Sequence, residues 1–301
     1  METVIVEGRH LVDAGMSSNG WSRKTRGLCA KRRALAEAGV PEGEEREALV
    51  RGSLVHVGVA HLYARQYAIQ EGYNPDAYHE PGPAMEIVAQ REHARSVREE
   101  RDGSGLWLEL LPKVQGALDA YAVEYMTERL RIVGVEHLVE FDVVGPHTGQ
   151  VYRHTARMDL IAKMHGKIWV IDHKTYARGG KTKRRGFELA GQTVGAIWWG
   201  RAAYGDDFGG FMINGIQVNA SPGDCRFERF QPAIAPAAIA KFPAAVERYE
   251  EIWRQDRERY GDNPDNYPGV YMEQGPCLDR YGPCGYRKVC RWGLGIRGQD
   301  A

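Results

Sequence analysis

The sequence predicts an α/β domain, a mixed central sheet flanked by helices, and three observations predict it. Runs rich in branched and apolar residues at 132–144, 152–164 and 168–171 read as successive strands. Stretches with helical apolar spacing stand on either side of them, at 44–70 and 188–204. A further core-strand run follows at 208–218. At 301 residues the chain is long for one domain but not clearly two, and 43% hydrophobic with 27% charged residues is ordinary for a globular protein. One domain spanning 1–301 is expected. Lys plus Arg equals Asp plus Glu at 40 each, so bulk charge gives no pull toward nucleic acid and any such binding must come from local patches. The first residues lack a basic segment leading into an apolar one, and no run of about 18 apolar residues occurs. The expectation is a soluble cytoplasmic protein without membrane contact. Five cysteines in such a compartment point to free thiols or a metal site sooner than to disulfides.

In chain order, WSRKTRGLCAKRR at 21–33 places six basic residues around Cys29 with no acid among them. It is either a solvated helix face or a phosphate-contacting patch. The helix at 44–70 carries the stripe Leu54, Val55, Val59, Leu62, with Gly52 and Gly58 at positions that allow close packing, and His56 lies within it. Pro, Gly, Asn and Asp mark 72–83 as a loop. A charged, exposed helix is expected at 85–102. A better amphipathic helix, or two, follows at 106–131, around Leu110, Val114, Leu118 and Tyr121. The stretch of about 72–131 reads as a helical insertion or cap ahead of a core of about 132–220. Glu140, on the 132–144 strand, is either a secondary acid near the site or a solvent-facing carboxylate. A charged amphipathic helix over 243–260 starts on a proline, whose missing N–H costs nothing in the first turn.

The stretch that organises the rest is RMDLIAKMHGKIWVIDHK at 157–174. It reads as a hairpin whose two loop residues are His165 and Gly166, the glycine supplying a positive φ. Met164 then faces Lys167, and counting back brings Asp159 opposite Asp172, where Cβ atoms stand roughly 4.5–5.5 Å apart. Lys174, two residues beyond Asp172, shares its face. Like charges directly opposite each other destabilise a sheet. A divalent cation between them removes the repulsion, and oxygen ligands suit Mg²⁺ or Mn²⁺. The amine can then steady an attacking hydroxide or a developing phosphorane charge. After the hairpin, Arg178, Lys181, Lys183, Arg184 and Arg185 form a glycine-bearing basic loop with no acid. It suits entry of a polyanionic backbone, or is simply a soluble loop.

Asp159, a hairpin's length of chain, then Asp172-His173-Lys174 resembles the signature of the PD-(D/E)XK nuclease superfamily, in its RecB-like branch. The resemblance implies a restriction-endonuclease-like fold with Asp159, Asp172 and Lys174 catalytic. His56 matches the His of that branch's G-x-x-x-H-like helix, which implies a metal shell of His56, Asp159 and Asp172. Gln192 matches the first residue of its Gln-x-x-x-Tyr helix and is implied as a catalytic-site residue. Position 196 is Ala where the Tyr is expected, leaving Trp198, Trp199 or Tyr204 as substitutes.

Cys277-x₆-Cys284-x₅-Cys290, with Cys29 as a fourth, resembles the iron–sulfur-stapled RecB-like nucleases of the AddB, CRISPR-adaptation and phage-encoded types. That resemblance implies a [4Fe–4S] cluster. Spacing alone leaves Zn²⁺ or unliganded thiols open. Cys225 reads as an ordinary residue. The implied activity is Mg²⁺- or Mn²⁺-dependent hydrolysis of DNA, as an exonuclease acting on free ends or single strands in recombination or repair. The setting is a bacterial or phage-infected cell, with a recombination partner or oligomer compatible. The alternative is a catalytically silent DNA-binding or assembly subunit on the same fold.

Overall fold

The computed structural model describes residues 29–125, 127–128, 130–176, 186–188, 190–219, 221, 224–269, 277–279 and 282–292. Among the described residues four α-helices precede the sheet: α1 (Ala30–Glu37), α2 (Glu47–Glu71), α3 (Pro81–Arg98) and α4 (Leu106–Tyr125). Then come β1 (Arg131–Val144), β2 (Val151–Met164), β3 (Lys167–Tyr176), α5 (Gly191–Tyr204), β4 (Phe208–Gln217) and β5 (Arg226–Phe230). The five strands form one sheet in the order β1-β2-β3-β4-β5. Only β3 and β4 are parallel. A parallel pair needs a crossover, and α5 lies within it. The mixed sheet flanked by helices is thus present. The short edge strand β5 was not legible as a strand in the sequence.

The β2–β3 hairpin turns on His165 (φ 50) and Gly166 (φ 80), the two positive values of the tight turn that matches strand twist. Pairing runs from Met164↔Lys167 to Leu160↔Ile171. β3 extends past the 168–171 run to Tyr176, so Asp172, His173 and Lys174 sit inside a strand supported by β4.

One face of the sheet carries the larger core, where Leu160, Ile171 and Ile216 meet Leu54, Val59, Met85, Trp107, Leu110 and Tyr121 of α2, α3 and α4. The stretch read as an insertion therefore shares the main core with the sheet. Gly58 makes the helix packing possible: a Cβ there would stand 2.1 Å from Leu118 Cδ1 and 3.0 Å from Met85 Sδ. The opposite face packs Ile161, Val170, Phe211 and Ile213 against Ile197 and Trp199 of α5.

After β5 come α6 (Pro236–Ala240), α7 (Phe242–Tyr260), the two-residue strands β6 (Leu278–Asp279) and β7 (Gly282–Pro283), and α8 (Arg287–Trp292). The two ends of the described chain meet. Arg33 lies over the Trp253 ring at 4.3 Å and Lys31 pairs with Asp265 at 2.9 Å. Gly43 N–H donates to the Gly285 carbonyl and Arg287 pairs with Glu44 at 3.4 Å. Arg33 also pairs with Glu37 at 3.1 Å, so Lys31 and Arg33 are buried ion-pair partners, not members of an open phosphate patch. No described helix is long and apolar enough to cross a membrane.

Candidate active site

At one place the sheet departs from regularity on two neighbouring strands. β1 and β2 pair Val135↔Leu160 and His137↔Met158, which leaves Glu136 and Asp159 opposite each other between them. Side chains two or four apart on a strand normally share a face. Yet Val135 and Leu160 pack in the α2 layer, whereas Val139 and Met158 pack in the α5 layer. Both strands switch faces at Glu136 and Asp159. Glu136 has φ 46, a left-handed value that costs an L-residue about 1–2 kcal/mol. Strain of this kind persists where the surrounding structure holds a group for use.

His56 of α2 completes a group. Its Nδ1 lies 3.4 Å from Asp159 Oδ2 and 3.9 Å from Glu136 Oε1. One ligand atom from each of His56, Glu136 and Asp159 lies within 4.8 Å of the others, the one such group among the described residues. Burial by itself would lower the His56 pKa, but the Asp159 charge and Glu136 override it and lift it to about 9. Burial raises the pKa of Asp159, against the pull of His56 and with Glu136 adding to the rise.

Asp172 and Lys174 stand beside this group. Lys174 Nζ is 2.6 Å from Asp172 Oδ2, and Gln192 Nε2 of α5 donates to Asp172 Oδ1 at 3.0 Å. Asp172 also has a raised pKa, from burial first, with Lys174 opposing and the Asp159 charge adding to it. The two aspartates are linked through the backbone: His173 N–H donates to Asp159 Oδ2 at 2.7 Å. The His56, Asp159, Asp172, Lys174 and Gln192 named from the sequence are therefore neighbours. The tight ligand group, however, contains Glu136 where the sequence reading has Asp172. Glu140 lies outside the site, paired with Arg153 at 3.0 Å on the solvent-facing side.

The His173 ring points the other way, into a buried polar network. It stacks on Tyr63 at 5.8 Å and meets Asn214 Nδ2 through its Nδ1 at 3.0 Å. Asn214 also donates to Tyr121, whose hydroxyl is 2.7 Å from that of Tyr63. Arg229 donates to both hydroxyls and pairs with Glu128. Burial drives the His173 pKa well down, keeping the ring neutral. Of the aromatics considered for the absent Tyr, Trp198 packs on Phe141 and Phe242, and Trp199 packs on Tyr204. Tyr63 of α2 and Tyr121 of α4 meet the His173 ring on the other side of β3.

The basic loop residues Arg178, Lys181, Lys183, Arg184 and Arg185 lie outside the described residues. Cys29 is buried and Cys277, Cys284 and Cys290 are half-buried, none in a disulfide. Cys284 N–H donates to the Cys277 carbonyl at 2.9 Å. The Cys284 thiol is pushed up by burial, and the Cys29 sulfur is among the nearby charges that act on it.

The donor set is one imidazole and clustered carboxylates, which fits a hard divalent cation such as Mg²⁺ or Mn²⁺. A family model described as the PD-(D/E)XK nuclease superfamily matches residues 28–291. No curated protein matches the chain. Among solved structures the chain is similar to the crystal structure of SSO0001, with 14% identity over 74% of this chain and 84% of that one, at a TM-score of 0.32. So slight a likeness carries no argument.

Proposed function

Because the chain belongs to the PD-(D/E)XK nuclease superfamily, we propose that the His56–Glu136–Asp159 group, with Asp172 and Lys174, hydrolyses DNA phosphodiester bonds with a divalent metal ion. The observation that carries this reading is the simultaneous break of β1 and β2, which turns two carboxylates toward a histidine and toward the Asp172–Lys174 strand. Bound Mg²⁺ or Mn²⁺ would supply charge to the phosphoryl oxygens and a more acidic water. Asp159, Asp172 and Glu136 are the oxygen donors, and His56 releases its proton to join them. Lys174 orients the water and faces the charge that develops on phosphorus. Gln192 fixes the Asp172 carboxylate. Exonuclease action on free ends or single strands, in recombination or repair, is the form proposed. The basic residues at 178–185 are assigned to the substrate backbone by their charge.

Cys29, Cys277, Cys284 and Cys290 are proposed to hold a [4Fe–4S] cluster as a structural staple. The meeting of the chain ends through Gly43, Gly285, Glu44 and Arg287 supports this. The cluster would close a loop of nearly the whole chain and so restrict the unfolded ensemble.

The test is anaerobically purified protein with Mn²⁺ on labelled linear and circular DNA, alongside Asp172→Ala and Lys174→Ala. Cleavage of linear DNA only, lost in both variants while their visible absorption persists, is the expected result. Equal cleavage in both variants overturns the assignment. Tight DNA binding without cleavage points instead to a silent subunit.

A further inference from the structure

Arg157 lies on β2 two residues before Asp159. Its side chain is 22% exposed, and its Nη1 stands 4.0 Å from Glu136 Oε2. That is its one ion pair among the described residues, and its buried Nε has no hydrogen-bond partner. Buried donors are normally partnered, and each exception calls for a reason. An arginine kept only to neutralise Glu136 would close its fork on the carboxylate at about 2.7–2.9 Å. This one stands off, with its planar donors uncommitted beside the carboxylate group.

Charge counting gives the same direction. Consider a divalent ion in place and His56 neutral. The three negative charges of Glu136, Asp159 and Asp172 are then balanced by the ion's two positive charges and the one on Lys174, and the site is neutral. Arg157 adds a single positive charge in excess, which matches one phosphodiester anion. Guanidinium presents paired N–H groups that fit two phosphate oxygens, which an ammonium does not.

We propose that Arg157 is a catalytic residue that binds the non-bridging oxygens of the scissile phosphate and offsets the charge they gain during hydrolysis. This rests on the phosphodiesterase reading above. In that reaction the water oxygen bonds to phosphorus as the bridging P–O bond breaks. The water's proton leaves to solvent and the departing oxygen takes one up, while Arg157 keeps all of its own.

The test uses full-length Arg157→Met and Arg157→Lys with an end-labelled linear DNA duplex. For Arg157→Met, Mn²⁺ affinity without DNA stays within about threefold of wild type, because no ligand is removed. DNA affinity in Ca²⁺ weakens about tenfold, as for loss of a charge-assisted contact. The single-turnover rate in Mn²⁺ falls about a hundredfold, and millimolar guanidinium restores part of it. Arg157→Lys keeps the charge and the fold and regains binding more than rate. If Arg157→Met does not fold, Arg157→Lys decides alone. Cleavage and DNA affinity within threefold of wild type in whichever variant folds overturn the role of Arg157. A wild-type chain that binds Mn²⁺ and cleaves no DNA overturns the phosphodiesterase reading itself, and this role with it.

Discussion

Replacing Glu136 by glycine separates what the strained position costs from what it does. The residue sits at φ 46, and relief of that conformation is worth about 1–2 kcal/mol to the folded state. Glycine also frees the unfolded chain, which takes back about 0.4–1 kcal/mol. The 4.0 Å contact with Arg157 is long and partly solvated, so its loss costs well under about 1 kcal/mol. Removing a carboxylate beside Asp159 also lifts a like charge that raises the Asp159 pKa. With the 3.9 Å His56 contact also lost, the net expectation for Glu136→Gly is a stability within about 1 kcal/mol of wild type, or about 2–4 °C in Tm either way. Mn²⁺ affinity falls tenfold or more, since a donor of the group is gone, by analogy with the about 10–100-fold effect of losing even an outer partner. Thermal unfolding in EDTA and calorimetric Mn²⁺ titration measure the two effects. Glu136→Gln, which keeps the backbone strain, should lose metal affinity and be less stable than Glu136→Gly. A Glu136→Gly protein that loses 2 kcal/mol or more while binding Mn²⁺ as well as wild type would refute the reasoning.

Three further outcomes are expected. With its pKa at about 9, His56 is protonated near neutrality, so Mn²⁺ must displace that proton. Apparent affinity then climbs about tenfold per pH unit toward pH 9 and levels off above it, and calorimetry in buffers of different ionisation enthalpy should register proton release; an affinity flat from pH 6.5 to 9 contradicts this. His61 is fully buried and its pKa is lowered to about 4, by burial first and then by the His79 charge. A lowered folded value means stability is full above pH 6.5 and declines as pH falls to 4, by at most about 3 kcal/mol. Urea unfolding of wild type and His61→Gln across that window should show the variant flatter, and parallel curves would count against the cause given. Asn214→Ala strips donors from the Tyr121 hydroxyl and the His173 ring, both buried, at about 2–5 kcal/mol in total, measurable by urea unfolding; a cost below about 1 kcal/mol would show that the network does not hold β3.

The hairpin was legible because its determinants are local. His165-Gly166 sets the turn, and counting from it reaches Asp159 and Asp172 without knowledge of the rest of the chain. His56 was found through a motif likeness, not through periodicity. Glu136 was missed because its role depends on a left-handed residue inside a strand, which no propensity marks. One signal for it does exist in the register: counting back from Val144↔Val151 brings Glu136 opposite Asp159. Glu140, read either as a secondary acid or as a solvent-facing carboxylate, lies four residues past Glu136 and meets Arg153 on the solvent side. The helices at 81–98 and 106–125 looked like a cap because their apolar faces carry no label of what they cover. Their partners, Leu160, Ile171 and Ile216, are far along the chain. Tyr121 and Asn214, 93 residues apart, meet under His173 for the same reason.

Anomalous diffraction from crystals grown with Mn²⁺ tests the central claim most directly. A single strong peak coordinated by His56, Glu136 and Asp159, with Asp172 facing it, is the predicted result. Mn²⁺ bound elsewhere on the chain, with His56 still paired to Asp159 at full metal occupancy, would contradict the account.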